Sequence, residues 1–153
     1  MHPRNRFADR YDFESLESAV PELKQFIQIA KKGKTIDFSN PDAVRLLNTA
    51  LLRAAYNLKY WDLPKNFLCP AIPGRLNYLH YMLDLLYSDN DKLKYKGERI
   101  KMLDIGTGAS LIFPLLAVLE FNWYVKAAEL NEESFRNAEY ILDRNAKLKS
   151  KIQ

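Results

Sequence analysis

The chain has 153 residues, 48% hydrophobic and 27% charged, which fits one soluble globular domain. No apolar run reaches the ~18 residues of a membrane span, and Met1-His2-Pro3-Arg4 does not open a secretory signal core. A single cysteine, Cys69, excludes an internal disulfide framework, and two histidines beside it make a protein-only zinc site unexpected. The net charge of +4 permits nucleic-acid binding without requiring it.

Residues 1–10 set Arg4, Arg6 and Arg10 against one acid, Asp9, and show no periodicity. They read as an extended arm: either a flexible tail or a contact for folded RNA, since guanidinium groups fork onto phosphate and stack on bases. Apolar positions 13, 16, 19 and 20 predict a short helix over Phe13 to Val20, with Pro21 opening another turn. Alternation from Gln25 to Ala30, a Lys31-Lys32-Gly33-Lys34 turn, then Ile36 and Phe38 predict a small hairpin. Its lysines are either solvated or phosphate contacts. Ser39-Asn40-Pro41-Asp42 starts a helix whose face is Val44, Leu47, Leu51, Leu52 and Tyr56. Lys59 to Gly74 is loop-like. Arg75 opens a helix with Leu76, Leu79, Met82, Leu83 and Leu86 inward. Tyr78 and Tyr81 are expected to pack at a rim, and His80 to be a surface or satisfied histidine. Ser88 to Arg99 reads as a charged linker.

The stretch Ile100 to Ser110, IKMLDIGTGAS, organises the second half of the chain. Its apolar run predicts one buried strand. The glycine turn lets a ligand approach the main chain, and a helix from Leu111 to Leu119 presents free N–H groups to it. A nucleotide-like ligand suits that arrangement. Gly106 and Gly108 fit G-x-G-x-x-G, but Leu111 holds the third glycine's place, which argues against NAD. Trp123 to Ala128 predicts the next strand, ending at Glu129, close to the ~20-residue spacing of an acid that binds ribose hydroxyls. With no further strand in view, that strand's edge is expected to lie open. Glu132 to Lys147 predicts a helix with Phe135, Ala138, Ile141 and Leu142 as its face. Lys147, Lys149 and Lys151 read as its solvated end.

The motif D-I-G-T-G-A-S resembles the first motif of class I S-adenosylmethionine (SAM) methyltransferases. Together with MHPRNRF, IPGRLNYLHY and AAELNEESF it resembles the methyltransferase-like protein 16 family, from Met1 to about Asn145. These are SAM-dependent RNA adenine-N6 methyltransferases acting on U6 small nuclear RNA; the bacterial RlmF enzymes, which methylate 23S ribosomal RNA, are relatives. The resemblance implies an α/β, class I SAM-dependent methyltransferase (Rossmann-like) fold, incomplete, preceded by a mainly helical N-terminal RNA-binding module. Residues 1–87 would be that module, 1–10 its basic arm, 88–99 a linker, and 100–153 the N-terminal part of the SAM-binding domain. Gly106, Gly108 and Ser110 would contact SAM. Asp104 would hold the loop or approach the methionine amine, and Glu129 would take the ribose hydroxyls. Arg75 would meet the carboxylate. Arg4, Asn5, Arg6 and Arg10, with Lys31, Lys32 and Lys34, would contact a structured, U6-like RNA. The resemblance also implies residence in the nucleus, or the cytoplasm, with neither membrane nor metal as a partner.

One departure stands out. The family's catalytic motif, Asn-Pro-Pro-Phe, orients the target adenine amine, and this sequence does not contain it. No catalytic residue is therefore assigned. The only Asn-Pro, Asn40-Pro41, lies in a helix start. The chain then reads as a truncated product, such as a splice form or partial gene, or as a non-catalytic RNA-binding or SAM-binding remnant.

Overall fold

The computed structural model describes residues 1–31, 33–88 and 100–153. Lys32 and positions 89–99 of the expected linker lie outside the described residues.

Local capping sets the first half. Helix α1 (Phe13–Ala19) starts at Asp12, whose carboxylate accepts from the Glu14 and Ser15 amides at 3.1 and 3.3 Å. A 3₁₀ turn, Pro21–Phe26, follows where Pro21 has no N–H to offer. Strands β1 (Ile27–Ala30) and β2 (Gly33–Ile36) pair antiparallel, Ile27 opposite Ile36 and Ala30 opposite Gly33. Helix α2 (Pro41–Tyr56) is capped by the Asn40 side chain, which accepts from Asp42 and Ala43. It ends at Asn57, in the left-handed region at φ 54°. Helix α3 (Ile72–Ser88) begins at Ile72, not at Arg75. Pro73 is tolerated there because first-turn amides need no intrahelical partner. Leu76, Leu79 and Leu83 are buried as expected, but Leu86 is 45% exposed and lies off the inner face.

In the second half, β3 (Lys101–Ile105) and β4 (Tyr124–Ala128) pair parallel, Lys101 beside Tyr124 and Ile105 beside Ala128. Helix α4 (Ile112–Phe121) joins them. Helix α5 (Glu132–Arg144) and a 3₁₀ turn, Ala146–Ser150, come next. Two expectations need correction. β3 is not a buried strand: Leu103 and Ile105 are 65% and 80% exposed, because alternation turns them to an uncovered face with Lys101. The β4 edge is not open. The Val125 and Ala127 amides donate to Lys151 and Gln153 carbonyls at 2.8 Å, and Gln153 donates back to Val125 at 3.0 Å. Among the described residues, it is β3 that has a free edge. Buried side chains from both halves, such as Leu52, Leu76, Leu115, Leu116 and Ile141, form one continuous cluster.

Residues 1–10 are not an extended arm. His2, Asn5 and Phe7 are buried, and two tight turns (Asn5 N–H to His2 O, Ala8 N–H to Asn5 O) fold the segment onto the helices. The His2 ring, stacked on His80 at 4.9 Å, accepts the Arg4 amide at Nδ1 and donates from Nε2 to Asp84 at 2.8 Å. His80 is buried against Phe121 as well, and neither of its nitrogens has a hydrogen-bond partner, so it is neither a surface nor a satisfied histidine. Tyr78 packs on Phe113 and Tyr81 edge-on against His2, both half exposed, as rim residues do.

Burial, with His2 beside it, holds the His80 pKa below its ordinary 6.5, against weaker opposing pulls from Glu120 and Asp84. The unfolded chain therefore takes up a proton near pH 6.5 that the folded chain resists. Stability is full above that pH and falls as pH drops below it. Thermal melts between pH 7.5 and 5 are expected to show a falling midpoint, and His80→Phe to flatten that fall; an unchanged slope in the variant would assign the effect elsewhere.

Candidate functional site

The turn from Gly106 to Ser110 follows β3, and its backbone requires glycine twice: Gly106 and Gly108 have φ of +77° and +69°. Leu111 then adopts φ +50°, unusual for a leucine, at the cap of α4. It is 3% exposed, so burial of its side chain holds a conformation that glycine would take more readily. The cap supplies no side-chain acceptor, and the first α4 amides face the turn unserved by one.

Four residues outside the turn hold it. The Gly106 and Thr107 amides donate to Ala128 O at 2.8 and 3.1 Å. The Gly108 amide donates to Glu129 Oε2 at 2.7 Å. Trp61 Nε1 donates to Ser110 O at 2.9 Å, and Asn137 Nδ2 bridges Ala109 O and Asp62 O at 2.8 and 3.0 Å. Trp61 and Asn137 carried no signal in the sequence as site residues: one lies in a proline-broken loop, the other on the face of an amphipathic helix.

Glu129 lies at the end of β4, as expected. Its Oε1 accepts from the Leu130 and Asn131 amides, both at 2.9 Å, while Oε2 takes only Gly108 and has room for a further donor. The amides of Asn131, Gly108 and Leu130 hold its carboxyl below the ordinary 4.5. Asp104 sits two residues before the turn with Oδ2 buried and unpartnered, and Thr107 Oγ1 is likewise buried without a partner. A side chain built at Gly106 or Gly108 would meet nothing within 4 Å. Buried acceptors with no partner, beside an open backbone cradle, fit a polar ligand such as SAM. Arg75, in the first turns of α3, lies with its guanidinium 5.8 Å from the Phe113 ring, at the start of α4. The structure thus gathers Asp104, Gly106, Gly108, Ser110 and Glu129 around one turn and brings Arg75 to the adjoining end of α4.

The expected RNA residues are not gathered in the same way. Asn5 is 3% exposed and structural: its Oδ1 accepts from Phe7 N–H and its Nδ2 donates to Pro73 O. Arg4 pairs with Asp84. Arg6 pairs with Glu120 at 2.7 Å, donates to Ala55 O and lies over the Tyr56 ring. Tyr56 OH also donates to Glu120 at 2.7 Å, and burial plus that contact pushes its pKa up. Lys34 approaches Glu17 at 3.5 Å; Lys31 and Arg10 are exposed. Among the described residues no cluster of metal-ligating side chains occurs, and no helix is long and apolar enough to cross a membrane.

Strand, glycine turn, helix, and a second parallel strand followed by an acid form a βαβ unit, and likeness to the METTL16 methyltransferase domain makes the fold that of a class I SAM-dependent methyltransferase. A family model described as RNA methyltransferase matches residues 1–153, and the chain belongs to that family. Ribosomal RNA large subunit methyltransferase F of Flavobacterium johnsoniae is 50% identical over 149 residues, covering 97% of this chain and 47% of that protein. The N-terminal domain of human METTL16 in complex with SAH superposes with a TM-score of 0.82 at 39% identity, covering 100% of this chain and 58% of that one. The human METTL16 catalytic domain in complex with a MAT2A 3′UTR hairpin gives 0.83 at 37%, covering 100% and 52%. The chain spans about half the length of the curated relatives it matches.

With three amides on it, Glu129 is expected to titrate below 4.5 in a carboxyl-detected NMR titration and to stay ionised down to that pH. A midpoint at or above 4.5 would mean that the amide contacts do not persist in solution.

Proposed function

We propose that this chain carries the cofactor-binding part of a SAM-dependent RNA methyltransferase that acts on the N6 amine of adenosine in structured RNA. The observation that supports it best is the partnerless Asp104 Oδ2 beside the open turn at Gly106 and Gly108. Asp104 would hold the cofactor's amine end, the turn its methionine and ribose portions, and Glu129 Oε2 a ribose hydroxyl. Arg75 would pair with the carboxylate; such a charge-assisted pair is strong and directional. SAM, when bound, supplies an electrophilic methyl group.

The adenine amine is a weak nucleophile, since its lone pair is delocalised into the ring. Orientation is therefore the main catalytic task, and this sequence lacks the Asn-Pro-Pro-Phe residues that would perform it. Asn40-Pro41 does not substitute, because Asn40 is committed to capping α2.

Residues 1–87 would present the RNA surface and 100–153 the cofactor turn. Arg10, Lys31 and Lys34, with Lys32 outside the described residues, would meet phosphate. Arg4, Arg6 and Lys34 would do so while sharing their carboxylate partners. Higher identity to the ribosomal RNA enzymes than to METTL16 favours large-subunit ribosomal RNA over a U6-like hairpin. A ribosomal RNA target would put the protein in the cytoplasm, or in the nucleus where ribosomes are assembled there; a U6 target would put it in the nucleus.

Isothermal titration with S-adenosylhomocysteine is expected to show binding by the wild type and none by Gly106→Arg, whose side chain would fill the cofactor's place. Equal affinities would refute the turn as the cofactor site. Affinity for a structured RNA is expected to fall linearly with salt on logarithmic axes, and Arg10→Ala to reduce that slope by about one. A salt-independent interaction would remove the phosphate-contact assignment.

A further inference from the structure

The folded N-terminal segment reaches the cofactor side of the molecule through two hydrogen bonds that bracket one residue. Asn5 Nδ2 donates to Pro73 O at 2.9 Å, two residues before Arg75. The His2 backbone N–H donates to Asn77 Oδ1, two residues after it. Both contacts fall on the opening turns of α3, where Pro73 and Gly74 leave the backbone with one fewer amide donor and no side chain to pack. A first turn of that composition frays readily unless it is pinned from outside. Asn5 is well placed to pin it. It is 3% exposed, and its own rotamer is set by Oδ1, which accepts from Phe7 N–H at 3.0 Å. Its amide plane is thus held at both ends, with Nδ2 directed at Pro73.

The same segment also grips the far side of the seam. Arg6 pairs with Glu120 near the end of α4, and His2 stacks on His80, which packs on Phe121. Residues 2–6 therefore tie α3 to α4. Those are the two helices between which the Arg75 guanidinium rests, above Phe113.

We infer that Asn5 is a positioning residue for the cofactor site, acting through Arg75, with His2 and Asn77 completing the clamp. This rests on the reading of Arg75 as the partner of the cofactor's carboxylate. It gives the MHPRNRF segment a role in cofactor affinity that is separate from any contact with RNA, because Asn5 is buried and its polar atoms are engaged inside the protein.

The test is a double-mutant cycle read by S-adenosylhomocysteine affinity, with thermal midpoints and circular dichroism confirming that each full-chain variant is folded. Asn5→Ala is expected to weaken binding about five- to tenfold alone and to have no further effect in an Arg75→Ala background. Asn77→Ala removes only the second pin and should behave in the same direction, which keeps the test open if Asn5→Ala fails to fold. Hydrogen exchange at the Leu76 to Tyr78 amides should quicken in both variants. Unchanged affinity in both single variants would overturn the inference while leaving the cofactor site standing. So would a loss that persists in full without Arg75, since it would mean that Asn5 serves only the fold. A wild-type chain that binds no S-adenosylhomocysteine would instead overturn the cofactor reading, and this inference with it.

Discussion

The turn from Gly106 to Ser110 is held mainly from outside itself. Two of its residues take positive φ, its following residue Leu111 does so against its own preference, and the helix it opens has no side-chain cap. Its geometry is imposed by hydrogen bonds from elsewhere: Ala128 and Glu129 on the neighbouring strand, Trp61 from the loop before α3, and Asn137 from α5. Each bond fixes a backbone amide or carbonyl. The turn is therefore ordered before any ligand arrives, and binding need not supply that ordering. Because Trp61 lies in the N-terminal half, the two halves are joined at the point where the chemistry is expected.

Glu129 has two tasks in this arrangement. Its carboxylate closes the turn through Gly108 and caps the following segment through Leu130 and Asn131. The same amides that depress its pKa keep it ionised, and an ionised carboxylate is a stronger acceptor for hydroxyls than a neutral one. On the proposed reading, the group that shapes the turn would also take a ribose hydroxyl, and loop order and ligand affinity would be coupled through one side chain.

What could be read from the sequence was local. Asn40 announces a helix start because capping depends on neighbours two or three residues away. The hairpin, the glycine turn and the acid at the end of β4 come from alternation and from backbone angles that only certain residues accept. What could not be read was long-range. Asn5 meets Pro73 and His2 meets Asp84 across separations of 68 and 82 residues, and nothing in a basic, aperiodic stretch signals that it will be buried. His80 shows the same gap. Helical spacing placed it off the main apolar stripe, and only the return of His2 over it completes its burial. The start of α3 was misplaced because Pro73 and Gly74 read as breakers, although a first turn admits both.

The uncovered sheet face bears on how much of the site depends on neighbours. Lys101, Leu103 and Ile105 on β3 and Tyr124 and Lys126 on β4 alternate toward solvent, while Val125 is 2% exposed on the other side. A parallel sheet normally has cover on both faces, and here one face, mixed lysine and aliphatic, is exposed. The side chains that anchor the Gly106 turn do not lie on it. Trp61 is buried in the common core, and Asn137 sits on α5 beside Ala138 and Ile141, which pack inward. The shape of the Gly106 turn therefore does not depend on the uncovered face. Whatever lies against the Leu103 and Ile105 face would add stability more than it would reshape the turn.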